Sequence, residues 1–122
     1  KDHSGSQYYY NKMSYQHKEL SAGRWKEFPF FEQMANIGSE VERAISWKEK
    51  GNPDYGRQAF YRALELMELT IGDEKNKKRL KELTRVREFF IDWFAFDNIY
   101  HSTSQSWRDY FYPFNFAARR DR

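Results

Sequence analysis

Apolar residues recur at alternating spacings of three and four in four successive stretches of this chain, the spacing of one buried face of an α-helix. The first stretch follows Pro29, and Gly51 comes shortly after it. Proline suits the first position of a helix, and glycine suits the residue after its end. We therefore expect a first helix from about residue 29 to residue 50, with a buried face made of Phe30, Met34, Ile37, Val41 and Ala44.

The next two stretches have equally clear boundaries. Asn52-Pro53 supplies an N-cap and a first-position proline, and Gly72 ends the stretch that follows. Asp73-Glu74 then places negative charge at the start of a third apolar repeat, which runs to about Phe96. These signals predict a second and a third helix joined to their neighbours by short turns.

The fourth stretch opens with Ser102 and Gln105, which have the spacing of a capping box and predict a helix from about Thr103. Pro113 lies inside this repeat and predicts a kink or a division of the helix. No stretch alternates with the period of a β-strand. The sequence therefore predicts an all-α fold, an up-down antiparallel four-helix bundle with an N-terminal extension.

The length of 122 residues corresponds to one domain. We expect residues 1–28 to form the N-terminal extension and residues 29–122 to form the helical bundle domain. Residues 1–12 resemble an artificial linker, because the sequence KDHSGS at the start is polar and contains Gly and Ser. The alternative is a native arm whose tyrosines at 8, 9 and 10 pack on the domain or on a neighbour.

The composition excludes several classes of site. The chain has no cysteine, which excludes disulfides, zinc-thiolate sites, iron–sulfur clusters and thiol catalysis, and its three histidines are too few for a four-histidine metal site. No stretch approaches the ~20 apolar residues of a membrane-spanning helix, and the first residues lack the apolar core of a signal peptide. We expect a cytoplasmic protein with no membrane partner and no cofactor.

Several short strings of this sequence have a familiar combination of residues: MANIGSEV at 34–41, ALEL at 63–66, RVRE at 85–88, WRDY at 107–110 and FNFAAR at 114–119. They resemble a family of short, uncharacterised bacterial and archaeal four-helix-bundle proteins. The resemblance covers about residues 24–120. It implies a compact helical bundle, and it carries no activity and no site residues.

Aromatic residues are unusually abundant in this chain: Phe, Tyr and Trp number 24, against 13 for Leu, Ile and Val together. A domain of this size cannot bury them all in one core, so some are expected to face a partner. Closed dimers are the commonest way to cover such a surface. The leading hypothesis is therefore a non-enzymatic interaction module. It would form a homo-oligomer, most simply a dimer, or bind another protein. The candidate interface residues are Phe89, Phe96, Tyr112 and Phe116. The alternative is that residues 8–28 fold back over these rings.

Basic residues form two clusters, one at the start of the third helix and one at the C-terminus. In an up-down bundle these two positions lie at the same end, so the clusters could form one patch for nucleic acid or phosphate. A nucleic-acid-binding accessory protein is therefore the second hypothesis, and its candidate residues are Lys75, Lys77, Lys78, Arg79, Lys81, Arg119, Arg120 and Arg122.

Helix carboxylates give a third hypothesis, a magnesium-dependent nucleotide pyrophosphohydrolase. All-α nucleotide pyrophosphatases bind Mg²⁺ with one Glu-x-x-Glu and a later Glu-x-x-Asp, and this chain has the first motif but Glu-x-x-x-Asp for the second. The candidate ligands are Glu65, Glu68, Glu88 and Asp92. Arginines three residues away from Glu40, Glu65 and Glu88 offer structural ion pairs instead. We expect no catalytic residue and no metal as the simpler interpretation.

Overall fold

The computed structural model describes residues 23–120, and four α-helices and two short 3₁₀ helices make up most of that range. No strand occurs among the described residues. The prediction of an all-α fold with four helices is confirmed. The α-helices are α1 (Phe30–Glu49), α2 (Pro53–Ile71), α3 (Leu80–Ala95) and α4 (Ser104–Arg120), and the 3₁₀ helices are η1 (Arg24–Glu27) and η2 (Glu74–Arg79).

The ends of α1 and α2 follow the local signals of the sequence. Pro29 is the N-cap of α1, and Gly51 follows the helix with a positive φ of 75°, a conformation that glycine adopts without steric cost. The side chain of Asn52 accepts a hydrogen bond from the backbone N–H of Tyr55 at 3.1 Å, and Pro53 is the first residue of α2. Gly72 is its C-cap. These boundaries confirm the prediction.

The third helix differs from the prediction because its first turn and a half is not α-helical. Residues 74–79 form η2, and α3 begins only at Leu80. The carboxylate of Asp73 accepts from the backbone N–H of Lys75, and the Asn76 side chain turns into the core. A segment of sequence EKNKKR has no apolar repeat to bury, so its polar contacts fix a tighter helix.

The cap of α4 is shifted by one residue from the predicted one. Thr103 Oγ1 accepts from the backbone N–H of Ser106, and Ser106 Oγ accepts from the backbone N–H of Thr103, both at 2.9 Å. This reciprocal pair is the cap, rather than Ser102 with Gln105. Pro113 does not divide the helix, which continues to Arg120. Because Pro113 is exposed, water can bond the backbone carbonyl that lacks its helical donor there.

Helix α1 lies between α2 and α4, and α3 packs on α2. The backbones of α3 and α4 are further apart than those of the other packed helix pairs. Aromatic rings bridge the distance, because Phe90 and Trp93 on α3 both contact Trp107 on α4. The core is completed by aliphatic and small side chains from α1 and α2. Its buried members on these two helices are Met34, Ile37, Val41, Ala44, Ile45, Ala59, Phe60, Ala63, Leu66 and Met67.

Residues before α1 also belong to the packed unit. Trp25 on η1 is only 2% exposed, and its indole N–H donates to Thr70 Oγ1 at 3.0 Å. Phe28 packs edge-on against Trp25 at a centroid distance of 5.6 Å. The core therefore includes residues that precede the predicted domain start at 29. The predicted linker at residues 1–12 and its tyrosines lie outside the described residues.

Candidate interaction surfaces

The outward side of α4 carries two neighbouring exposed rings. Tyr112 is 61% exposed and Phe116 is 49% exposed, and their ring centroids lie 6.4 Å apart. Asp109 precedes this pair by three residues and Arg119 follows it by three, and both are exposed. Spacings of three, four and three place these side chains in one stripe of the helix. We call Asp109, Tyr112, Phe116 and Arg119 the α4 face.

The flank of α4 beside this face is tied to α1. Arg108 donates from Nε and from one terminal nitrogen to the two carboxylate oxygens of Glu42, both at 2.9 Å, and it also reaches Glu49. The hydrogen bonds from Arg108 lower the pKa of Glu42, although partial burial opposes them. Trp107 and Phe111 are buried beneath. The α4 face is therefore presented by a helix that is held in place by the Arg108 ion pairs beside this face and by the buried rings beneath it.

The other two predicted interface rings lie elsewhere. Phe89 is half-buried, and its ring stacks on Tyr100 at 4.2 Å. Phe96 is 71% exposed, but it follows the end of α3 and lies with Ile99 in the connection to α4. The four predicted rings thus do not form one patch, and only Tyr112 and Phe116 lie side by side. Trp25 and Phe28, which could have covered them, pack in the core instead.

One ring of α1, that of Phe30, contacts elements that carry the two predicted basic clusters. The Arg79 guanidinium lies 4.1 Å from the ring centroid of Phe30, and the same ring contacts Phe114 on α4 at 5.8 Å. This ring therefore links the start of α3 to the last turns of α4. Lys75 forms an ion pair with Asp73. The exposed members are Lys77, Lys78, Arg79, Lys81, Arg119 and Arg120, while Arg122 lies outside the described residues.

The carboxylates of the metal hypothesis do not converge. Glu68 pairs with Arg87 at 2.7 Å, and Glu88 accepts from the hydroxyl of Tyr100 at 3.1 Å. Asp92 accepts from two backbone N–H groups of the α3–α4 connection, at 3.0 and 3.2 Å. Glu65 is buried on α2. Across residues 23–120 no three acidic or histidine side chains are grouped to hold a metal ion, so the magnesium hypothesis has no site in this part of the chain.

A buried polar cluster joins η1, α1 and η2, and no sequence pattern predicts it. Gln33 is 0% exposed, and its amide nitrogen donates to the Trp25 carbonyl and to Asp73, both at 2.9 Å. Asn76 donates to the amide oxygen of Gln33 at 2.9 Å and to the Thr70 carbonyl at 3.0 Å. Since its members come from separate elements, spacing along the sequence could not reveal them.

The charge of Asp73 is held by this cluster. Burial favours the neutral acid, but hydrogen bonds from the Lys75 ammonium, the Gln33 amide and the Lys75 backbone together outweigh burial and lower the pKa of Asp73. Every polar group described here has a partner, so the cluster fastens the loops rather than offering free groups to a ligand. The cluster therefore stabilises the packing of η1, α1 and η2.

Known proteins give no guide to the role of these surfaces. The chain gives no significant match to a protein-family model, to a curated protein or to a solved structure. None of the helices at residues 23–120 is both long and apolar enough to cross a membrane.

Proposed function

We propose that this chain is a non-enzymatic helical interaction module that associates with a second copy of itself through the α4 face. The observation that supports this most directly is the exposed pair Tyr112 and Phe116, with an acidic residue on one side of it and a basic residue on the other. Exposed contiguous rings on a fixed helix are typical of protein interfaces.

The order of residues in the α4 face matches a twofold symmetric contact. If two copies of α4 pack antiparallel with the axis at the level of Phe114, Tyr112 of one copy lies opposite Phe116 of the other. Position 109 then lies opposite position 119, because both pairs are symmetric about residue 114. Each acidic Asp109 therefore meets a basic Arg119 of the second copy. A closed dimer of this kind is self-complementary in shape and charge.

The two halves of this contact contribute differently. Burial of a Phe or Tyr ring is favourable by roughly 1.5–3 kcal/mol, so the rings supply the affinity. The exposed charge pairs contribute about 0–1 kcal/mol each and mainly fix the antiparallel order. One helix face per copy is a small interface, so we expect a weak dimer whose population depends on protein concentration.

Sedimentation equilibrium over a range of protein concentrations tests the proposal. Tyr112→Ser with Phe116→Ser should give a monomer, whereas the matched control Phe96→Ser, which removes a more exposed ring at the α3–α4 connection, should dimerise like the wild type. Asp109→Arg alone should weaken the dimer because it places like charges opposite each other. The double variant Asp109→Arg, Arg119→Asp should restore it.

A wild-type chain that stays monomeric at all concentrations would contradict self-association. Equal loss of the dimer in the Phe96→Ser control would show that a different surface is used. A dimer that tolerates the single charge reversal would contradict the antiparallel arrangement.

The second candidate function is nucleic-acid binding by the basic end of the molecule. The observation that favours it is that Phe30 contacts both Arg79 and Phe114, which lies five residues before Arg119, while Lys77 and Lys78 are exposed and form no ion pair with any described residue. The patch has no motif for recognising bases, so it would contact the phosphates of the nucleic acid. Its affinity for nucleic acid should therefore fall as the salt concentration rises and depend little on base sequence.

The test is fluorescence anisotropy with a labelled single-stranded RNA and a duplex DNA at ~50 mM salt, where phosphate contacts are strong. Lys77→Glu with Lys78→Glu should abolish binding and leave the fold intact. The matched control, Lys48→Glu with Lys50→Glu, makes the same change in net charge at the other end of α1 and should keep most of the binding. No binding by the wild type at this salt concentration would exclude the function.

A further inference from the structure

A cavity of about 370 Å³ lies between α3 and α4, where the backbones of the two helices are further apart than in the other packed pairs. Its walls are mostly apolar and are formed by Val86, Phe89, Trp107 and Tyr110. A volume of this size and an apolar lining with a few polar groups are typical of small-molecule sites. None of the residues of the α4 face lines it, so the cavity is independent of the proposed dimer contact.

The cavity is lined by one cation, Arg85, and one acid, Glu82. Arg85 lines it, is exposed, and forms no ion pair or hydrogen bond with any residue in 23–120. The acidic residue beside it, Glu82, accepts a hydrogen bond from the Tyr110 hydroxyl at 2.6 Å. A carboxylate is the simplest group that would pair with a free guanidinium, which binds it with two parallel hydrogen bonds.

A second polar group of the cavity wall also lacks a partner. Trp107 is almost completely buried, and its indole N–H has no hydrogen-bond acceptor among the described residues. The larger cavity between α1 and α4, about 450 Å³, is also lined by Trp107, but both of its arginines are already paired, Arg108 with Glu42 and Arg43 with Glu40.

We propose that the α3–α4 cavity binds a small aromatic carboxylate, with its ring between Phe89 and Trp107 and its carboxylate on Arg85. The ring fits because flat aromatic walls pack best on another aromatic group. Arg85 provides selectivity for an acid over its neutral analogue. Trp107 provides a reporter, because its side chain lines the cavity.

The experiment is a titration of the full chain, labelled with ¹⁵N, with 2-naphthoate and with its neutral amide, followed by the indole N–H signals in NMR spectra. The signal of Trp107, assigned with Trp107→Phe, should shift saturably with naphthoate, and the amide should bind at least about tenfold more weakly because it lacks the charge. Arg85→Gln should weaken naphthoate binding by a similar factor. The matched control Lys81→Gln removes the same charge one turn earlier on α3 and should leave the affinity unchanged.

Because Arg85 is exposed and unpaired, its replacement leaves the fold intact, so weaker naphthoate binding by Arg85→Gln reports the loss of the guanidinium. A cavity-filling variant, Val86→Phe, should abolish the shift with no loss of helical circular dichroism. Absence of a saturable shift of the Trp107 signal would overturn the site. Equal binding of the acid and the amide, or equal weakening by Arg85→Gln and Lys81→Gln, would overturn the carboxylate specificity.

Discussion

At the scale of single residues, Gln33 is the centre of the buried polar cluster. Its amide donates to η1 and to Asp73, and its amide oxygen accepts from Asn76 on η2. A buried amide that makes all of these bonds can hold three segments in one arrangement, because each alternative arrangement would leave a polar group without a partner in the core.

We expect Gln33→Leu to lower the free energy of unfolding by about 2–4 kcal/mol, since it leaves several buried polar groups unpaired. The matched control is Asn36→Ala, which removes a single exposed hydrogen bond to the Glu32 carbonyl on the same helix. That change should cost less than about 0.5 kcal/mol. Urea unfolding of both variants measures the difference, and equal costs would contradict a central role for Gln33.

Asp73 should make stability depend on pH in the acid range. Its pKa in the folded chain lies below the ordinary value of 3.8, so its ionised form stabilises the fold above that pH, and this contribution is lost as the pH falls through the lowered pKa. We expect the unfolding free energy of the wild type to decrease more steeply below about pH 4 than that of Asp73→Asn. Parallel curves for the two proteins would contradict this.

At the scale of elements, the approach of α4 to α1 depends on Gly38. A Cβ atom at Gly38 would lie 3.1 Å from side-chain atoms of Phe111, which is itself buried. At Gly56 on α2 the nearest atom would be 3.5 Å away, an ordinary contact distance. The absence of a side chain is therefore required for the α1–α4 contact and not at the second position.

We expect Gly38→Ala to destabilise the protein by about 1–2 kcal/mol, because Phe111 must move within a packed core. Gly56→Ala should be neutral or stabilising by up to about 1 kcal/mol, because alanine favours a helix interior. Thermal unfolding of the two variants checks the contrast. The opposite order would show that Phe111 moves freely.

At the scale of the whole molecule, Trp25 joins the start of the described chain to the end of α2. It is buried against the core, and its indole bond to Thr70 spans 45 residues of sequence. The segment before α1 is therefore part of the cooperative unit.

We expect Trp25→Ala to lower the unfolding free energy by about 3–5 kcal/mol, the usual cost of removing a buried Trp side chain. The smaller change Thr70→Val removes the acceptor and keeps the shape, so it should cost about 1–3 kcal/mol. Calorimetry on both variants measures these effects. A Trp25→Ala variant as stable as the wild type would show that the segment is only loosely attached.

The helices of this protein are largely determined by its sequence. Pro29, Gly51, Asn52-Pro53 and Gly72 act on backbone groups within a few residues, so the bounds of α1 and α2 follow without knowledge of the rest of the fold. The polar segment 74–79 and the cap of α4 depart from the prediction. In both cases more than one local arrangement was available, and contacts with Gln33 and Thr70 favour the 3₁₀ form of the first.

The surfaces were decided by the tertiary structure. The sequence indicated exposed rings, but it could not show that Phe89 stacks on Tyr100 while Tyr112 and Phe116 remain exposed together. It indicated Arg43 as a partner of Glu40, and that pair forms, but it could not show that Arg62 of α2 binds the same carboxylate. Arg62 and Glu40 lie far apart in the sequence. A helical repeat specifies which face is buried, and only the packing of one helix against another specifies which side chains meet there.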